Sequence, residues 1–451
     1  MSVGDEFLIG RPKARQPRAL PSVSSVTGTA LYELASRFYP ICRSITGPGV
    51  RETLRLISDH IDIDVHEVAT GTQVFDWTVP REWHIRDAYI KDRTGRRIVD
   101  FGASNLHVVN YSAPVHATMG LAQLRPHLHS LPDKPDLIPY RTSYYQETWG
   151  FCLAHRQLEA LEDGDYEVYI DSSLVDGSLT YGEFFHRGAS DREFVLSAHI
   201  CHPSLANDNC SGLALLTLLA EWISRYDTRL SYRFIFAPGT IGAVTWLARN
   251  EARTPNIEHG LIVSCVGDGG GPNYKRSRRG DAVIDLAMEH VLSHSGLTAS
   301  VVDFSPYGYD ERQYCSPGFD LPFGLFQRSQ WGAFREYHTS ADNLDLIAPE
   351  HLKASMDIIV SAIEVAEKNC TLRNRLPKCE PQLGKRGLFG PMEGNKASAA
   401  ANMAMLWVLN LSDGDHSLLD IARRANLPFS EVSGAADRLL EHGLLSDKAL
   451  R

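Results

Sequence analysis

The chain reads as an α/β protein: a mostly parallel sheet flanked by helices, interrupted by an inserted β-rich domain and followed by a C-terminal winged-helix domain. Three observations carry this. Between Asp191 and about Cys370, short apolar runs alternate with helical stretches, the order of a parallel sheet. Between Val65 and about Arg187 the apolar period falls to two and Gly, Pro and Asp turns recur. Beyond Cys370, a linker with Pro377 and Pro381 precedes three helical stretches, with Asn426-Leu-Pro428 between the last two, in the manner of a winged helix-turn-helix.

In chain order, residues 1–26 read as a flexible tail rich in Pro and Arg. Leu31, Leu34, Ala35 and Phe38 share one helical face, and a second helix carries Leu54, Leu56 and Ile57. The β-rich segment, 65–187, is expected as an insertion between the two parts of one larger domain, 27–64 and 188–376, shaping its substrate entrance. Within it, Val65-His-Glu-Val, Gln73-Val-Phe-Asp-Trp, Ala88-Tyr-Ile-Lys and Tyr166-Glu-Val-Tyr-Ile are the expected strands. In the larger domain, strands are expected at 194–199, 232–237 and 260–266, with helices at 212–225 and 241–250. The winged-helix domain is expected over 385–451, with helices near 397–410, 417–425 and 430–442.

Composition bounds the function. A chain of 451 residues with 43% hydrophobic and 22% charged residues has ample material for a core. Its formal net charge of -10 argues against nucleic acid or an anionic membrane as the main partner. Residues 385–451 hold eight Lys/Arg and eight Asp/Glu, which lacks the basic footprint of a DNA reader and favours packing or homo-oligomer formation. Eight scattered cysteines without C-x-x-C spacing indicate neither a disulfide framework nor a zinc finger. The first 25 residues lack an apolar segment and no apolar run reaches about eighteen residues, so the expectation is a soluble, cytoplasmic protein.

Chemistry-bearing residues gather where strands are expected to end. His199 closes the strand Phe194-Val-Leu-Ser-Ala-His199, and the loop behind it carries Asp208; an imidazole and a carboxylate are a donor pair that zinc accepts. The plainer reading is a structural histidine and an Asn-Asp-Asn helix cap. Asp268 follows the next strand inside Gly267-Asp268-Gly-Gly-Gly271, either a site carboxylate or a glycine turn. Two further stretches mix charge with aromatics, Pro306-Tyr-Gly-Tyr-Asp310-Glu311-Arg312-Gln313-Tyr314 and Glu336-Tyr337-His338-Thr339. They read as binding loops or as solvated ion pairs.

The order His...Asp-Asn-x-Ser-Gly...Asp...His resembles the co-catalytic zinc aminopeptidases. The longer strings His-Ile-Cys-His-Pro-Ser-Leu-Ala-Asn-Asp-Asn-Cys-Ser-Gly, Tyr274-Lys-Arg-Ser-Arg-Arg-Gly280, Asp310-Glu-Arg-Gln-Tyr-Cys-Ser-Pro-Gly318 and Glu336-Tyr-His-Thr-Ser-Ala-Asp-Asn343 look like the bacterial aminopeptidase-like family that carries a β-rich insert and a C-terminal winged helix. The resemblance covers roughly 28–445. It implies a zinc aminopeptidase-like fold with one or two zinc ions. It makes Asp208 the bridging carboxylate, His199 and Asp268 ligands of one metal, and His338 a ligand of the other. Arg312, Tyr314 and Tyr337 are the expected substrate contacts.

One departure stands out. Where the resembled family has Pro-Glu-Thr-Ile-Gly, this chain has Pro238-Gly239-Thr240-Ile241-Gly242, and glycine neither ligates nor takes a proton. Three accounts follow: a mononuclear site, a replacement carboxylate, for which Glu311 is the choice, or binding without hydrolysis. Cys201 stands where the aminopeptidases have a supporting aspartate, and reads as a buried thiol ahead of a soft ligand. His202 is open to three roles, ligand, proton shuttle or support for the ligands, with support ranked first. The expected function is a zinc-dependent amide hydrolase acting on a small amino-acid-like or N-acylated substrate, or a short peptide. By analogy, its setting would be a natural-product or polysaccharide pathway. The alternative is a metabolite-binding or regulatory protein without catalysis.

Overall fold

A computed structural model describes residues 23–388 and 396–447. The tail expected over 1–26 therefore lies almost wholly outside the described residues. Helix α1 (Gly28–Phe38) starts where the Thr27 side chain accepts the Ala30 N–H, and buries Leu31, Leu34, Ala35 and Phe38. Helix α2 (Pro48–Ser58) follows, with proline in its first turn.

Eight strands make the main sheet: β1 (Asp64–Ala69), β2 (Ser178–His186), β3 (Glu193–His199), β4 (Ser231–Ala237), β5 (Ile257–Val263), β6 (Asn273–Lys275), β7 (Ser300–Val302) and β8 (Phe323–Gln327). Their order is β1-β2-β4-β3-β5-β8-β6-β7. The central four, β4, β3, β5 and β8, run parallel, whereas β1 with β2, β2 with β4 and β6 with β8 pair antiparallel. Every residue of β3 and β4 is buried, as expected for strands covered on both faces. Alternation sends Phe194, Leu196 and Ala198 into one core layer, with α3 (Gly212–Ile223), α5 (Val283–Ser293) and α6 (Pro349–Lys368). Val195, Ile235 and Ala237 face the other layer, with Trp246 of α4 (Ile241–Asn250).

The segment expected as an insertion over 65–187 is divided in the structure. Its first and last strands, β1 and β2, belong to the main sheet. The four-stranded antiparallel sheet between them runs Arg97–Asp100, Glu82–Lys91, Asp165–Val175, Val115–Gly120. Only Val68 of β1 is buried, as expected of an edge strand, and that carries no mark of which sheet it joins.

At the C-terminal end, Thr371–Asn374 is the middle strand of a three-stranded sheet with Asp413–Ser417 and Leu445–Asp447. The module therefore begins about fourteen residues before the expected boundary at 385, inside the apparent linker. Its helices are α7 (Lys396–Leu411), α8 (Leu418–Ala425) and α9 (Phe429–Glu441). Its core includes Ala287 of α5 and Val365 of α6, so it packs directly on the main domain. The exposed side of α9 presents Glu431, Asp437, Arg438 and Glu441, a face of mixed charge. Among the described residues no helix is long and apolar enough to cross a membrane.

Candidate metal centre

The β3 strand delivers His199 to the carboxyl edge of the sheet, where open α/β sheets place ligands. Behind it the chain leaves regular helix at Asp208 (φ -110, ψ 79) and Asn209 (φ -144, ψ 33), which turns the Asp208 side chain back toward the strand end. Three anchors hold this loop. Asn209 donates to the Val263 carbonyl at 3.1 Å and accepts the Gly212 N–H at 3.2 Å. Asn207 accepts the Gly267 N–H at 2.9 Å. Asp342 accepts the Asn207 and Asp208 N–H groups at 2.6 and 3.0 Å, and burial pushes its carboxyl up to about 8 against those two donors.

Asp208 is 0% exposed and is surrounded by imidazoles. His199 Nε2 stands 2.8 Å from its Oδ1, while His338 Nε2 and His202 Nδ1 stand 3.0 and 3.2 Å from its Oδ2. Burial works against the charged carboxylate, yet His202 and His199 hold its pKa well below the usual range. Burial likewise opposes the charge of His202, and Asp208 and Cys201 raise its pKa well above the usual value. Aromatic rings complete the walls. Tyr309 stacks on His199 at 5.0 Å and Tyr337 on His338 at 4.0 Å, and Tyr140 meets both His202 and His338 edge-on at 5.1 Å.

Tyr140 comes from the region between β1 and β2, which grips the loop carrying His338. The Tyr140 N–H donates to the His338 carbonyl at 2.8 Å, the Ser340 N–H to the Ile138 carbonyl at 2.8 Å, and Lys134 Nζ to the Arg335 carbonyl at 2.7 Å. His338 itself holds a positive φ of 53° within this clamp.

Of the sequence-expected site residues, the structure brings together His199, Asp208 and His338, and adds His202, expected mainly as a support. Asp268 is not with them. Four residues beyond the last hydrogen-bonded strand position carry the chain past the cluster. There its carboxylate accepts Asn207 Nδ2 at 2.7 Å, the Gly270 N–H at 2.7 Å and Ser329 Oγ at 2.6 Å. It orients the residue next to Asp208 instead of lying against the imidazoles. Glu311 is not the replacement carboxylate: it is 0% exposed and salt-bridged to Lys275 at 2.8 Å. Tyr314 is no substrate contact, because its ring is fully buried and stacked on Phe323 at 3.9 Å. Arg312 lies beside the Gly239 turn, with Nη2 at 3.4 Å from Thr240 Oγ1.

Sequence reasoning missed Asp310, Tyr309 and Tyr140. The first two lie inside the 306–314 stretch that was singled out, one and two positions before the chosen Glu311. Tyr140, on a proline-rich loop, gives no such signal. Gly239 has a neighbour too: its N–H donates to Cys201 Sγ at 3.2 Å, and an added Cβ would lie 3.3 Å from that sulfur and 3.7 Å from His199 Cβ. Cys201 is thus a buried, hydrogen-bonded thiol.

His199, His202 and Asp208 offer ligand atoms within 4.8 Å of one another, and the donor types and spacing suit a zinc ion. Comparison with known proteins supplies the family. Residues 32–369 match a family described as a domain of unknown function, DUF4910, and residues 370–447 match a winged helix-turn-helix. A Clostridium acetobutylicum protein, provisionally named a polysaccharide biosynthesis protein with an aminopeptidase-like domain, is 51% identical over 94% of this chain and 97% of its own length. A crystal structure from the same organism, of a protein provisionally described as a peptidase, superposes with a TM-score of 0.89 at 50% identity, covering 93% of this chain and 96% of that one. A zinc aminopeptidase from Bacillus subtilis shares the fold at 14% identity, with a TM-score of 0.56 over 77% of this chain and 96% of that one. The chain belongs to the DUF4910 family of aminopeptidase-like proteins with a C-terminal winged helix, built on the zinc aminopeptidase fold.

Proposed function

We propose that the chain is a zinc-dependent amide hydrolase of the aminopeptidase type, acting on a small amino-acid-like or N-acylated substrate. The observation that carries this reading is the buried Asp208 carboxylate flanked by His199, His202 and His338 at 2.8–3.2 Å. Among the described residues its only charged partners are imidazoles, which are themselves metal ligands. Zinc would be held by His199, Asp208 and His338, with His202 as a further donor. When bound, it supplies Lewis-acid polarisation of the amide carbonyl and acidifies the attacking water. Arg312, bonded to Thr240, and Tyr337, stacked on His338, would orient the substrate. The name of the Clostridium relative supports an amide-bearing building block of a polysaccharide pathway as the substrate class.

Gly239 favours a second reading, a metabolite-binding protein without catalysis. Metal analysis separates the two. Protein supplied with zinc and then desalted should retain about one equivalent, and less than about 0.2 equivalents would sink the enzyme reading. Asp208→Ala should abolish retention, and undiminished zinc in that variant would remove Asp208 from the site.

A further inference from the structure

We propose that Asp310 supplies the carboxylate missing at Gly239, as the acceptor of the proton of the attacking water. This rests on the amide-hydrolase reading. The argument begins with the turn that contains the glycine. Thr240 lies at φ 62, ψ -71, and the Ile241 N–H reaches back to the Gly239 carbonyl at 3.0 Å, closing a three-residue turn that non-glycine residues rarely adopt. The Thr240 N–H points at Asp310 Oδ1, 2.7 Å away. The strained turn that lost its side-chain carboxylate is therefore bonded to a carboxylate from another loop.

Asp310 is 5% exposed, and among the described residues no lysine or arginine forms an ion pair with it. The charges that favour its ionised form come from His199, Arg312 and His202. Its neighbour Tyr309 lies against the His199 ring, which fixes the backbone beside the cluster. Yet its oxygens are outside the group of mutually close ligand atoms. A carboxylate beside the cluster but outside the ligand set suits a proton acceptor that works through water. Burial raises its pKa, which makes it a better base than an exposed aspartate.

In the step, the water oxygen bonds to the carbonyl carbon and one water proton moves to the Asp310 carboxylate. As the C–N bond breaks, that proton passes to the leaving nitrogen. A carboxylic acid and an amine are released, and Asp310 ends ionised.

The test is Asp310→Asn, because asparagine Oδ1 still accepts the Thr240 N–H and a merely structural Asp310 predicts no change. Zinc-loaded proteins are titrated with acetohydroxamate by calorimetry in buffers of different ionisation enthalpy, which counts protons released. Wild type should keep the hydroxamate proton. Asp310→Asn should keep its zinc, release about one proton to buffer and bind at least about tenfold more weakly. Gly239→Glu in the Asp310→Asn background should restore proton retention, with Cys201 shifting slightly to admit the new side chain. Unchanged proton release and affinity in Asp310→Asn would overturn the inference, as would loss of zinc, which would make Asp310 a ligand. Wild type that binds no zinc overturns the hydrolase reading itself, and this inference with it.

Discussion

Two clusters of buried charge sit on the same sheet and are neutralised in different ways. Near the start of β3, Arg233 is 1% exposed and binds Glu193 through two nitrogens at 2.7 and 2.9 Å. It also pairs with Glu183, whose other oxygen accepts Trp246 Nε1 at 2.6 Å. That network brings its own countercharge. At the opposite end of β3, among the described residues, Asp208 forms its ion pairs with imidazoles and Asp310 accepts a backbone N–H. The first cluster is closed and structural. The second has the donor types of a metal site, which is how a candidate binding site differs from a buried ion pair.

The contrast is sharpest where one partner is removed. Arg233→Met leaves two buried glutamates without a cation and should lower the free energy of unfolding by about 3–5 kcal/mol, measured by urea denaturation. Zinc retained per folded molecule should stay the same; a stable variant that loses zinc would show that the two clusters are one network. A smaller effect is expected from Asp268→Asn, which removes an acceptor from Asn207 and loosens the residue next to Asp208. Zinc affinity should fall about 10–100-fold by competition with a chelator while the fold is kept. Unchanged affinity would mean that the Asn207 contact does not reach the cluster.

The smallest effect is a pH dependence away from both clusters. Burial lowers the pKa of His259 and His290 to about 4 each, so the fold excludes protons that the unfolded chain takes up from about pH 6.5 downward. Stability from these two groups is complete above about pH 6.5 and is lost as pH falls toward about 4. His290→Gln should flatten that slope in thermal melts, with or without zinc. An unchanged slope would assign it to the cluster histidines instead.

The parallel core was legible because buried strands read as unbroken apolar runs: the strand expected at 194–199 is Glu193–His199, and that at 232–237 is Ser231–Ala237. The insertion boundary was not, since nothing in the sequences of β1 and β2 marks which sheet they join and only pairing assigns them to the main sheet. At the site, His199 and Asp208 come from one local motif and His338 from a separate stretch far along the chain, and the structure sets both imidazoles against the Asp208 carboxylate. Asp268 and Glu311 failed for a geometric reason. A carboxylate just past a strand end, or one residue into a helical turn, changes direction completely within a single position. Glu311 faces Lys275, and Asp310, immediately before it, faces Thr240. Tyr314 was misread because an aromatic beside charged residues carries no sign of which side of its short helix is covered.

The clamp between residues 134–140 and 335–340 has a bearing on inheritance among relatives. His338 keeps its position through hydrogen bonds to a stretch nearly two hundred residues earlier in the chain. The segment between β1 and β2 is thus a splint for the His338 side of the cluster. A chimera that takes this segment from a relative while keeping its own His338 loop inherits half of a joint. The two stretches should therefore drift together in evolution, even where the sheet beneath them stays constant.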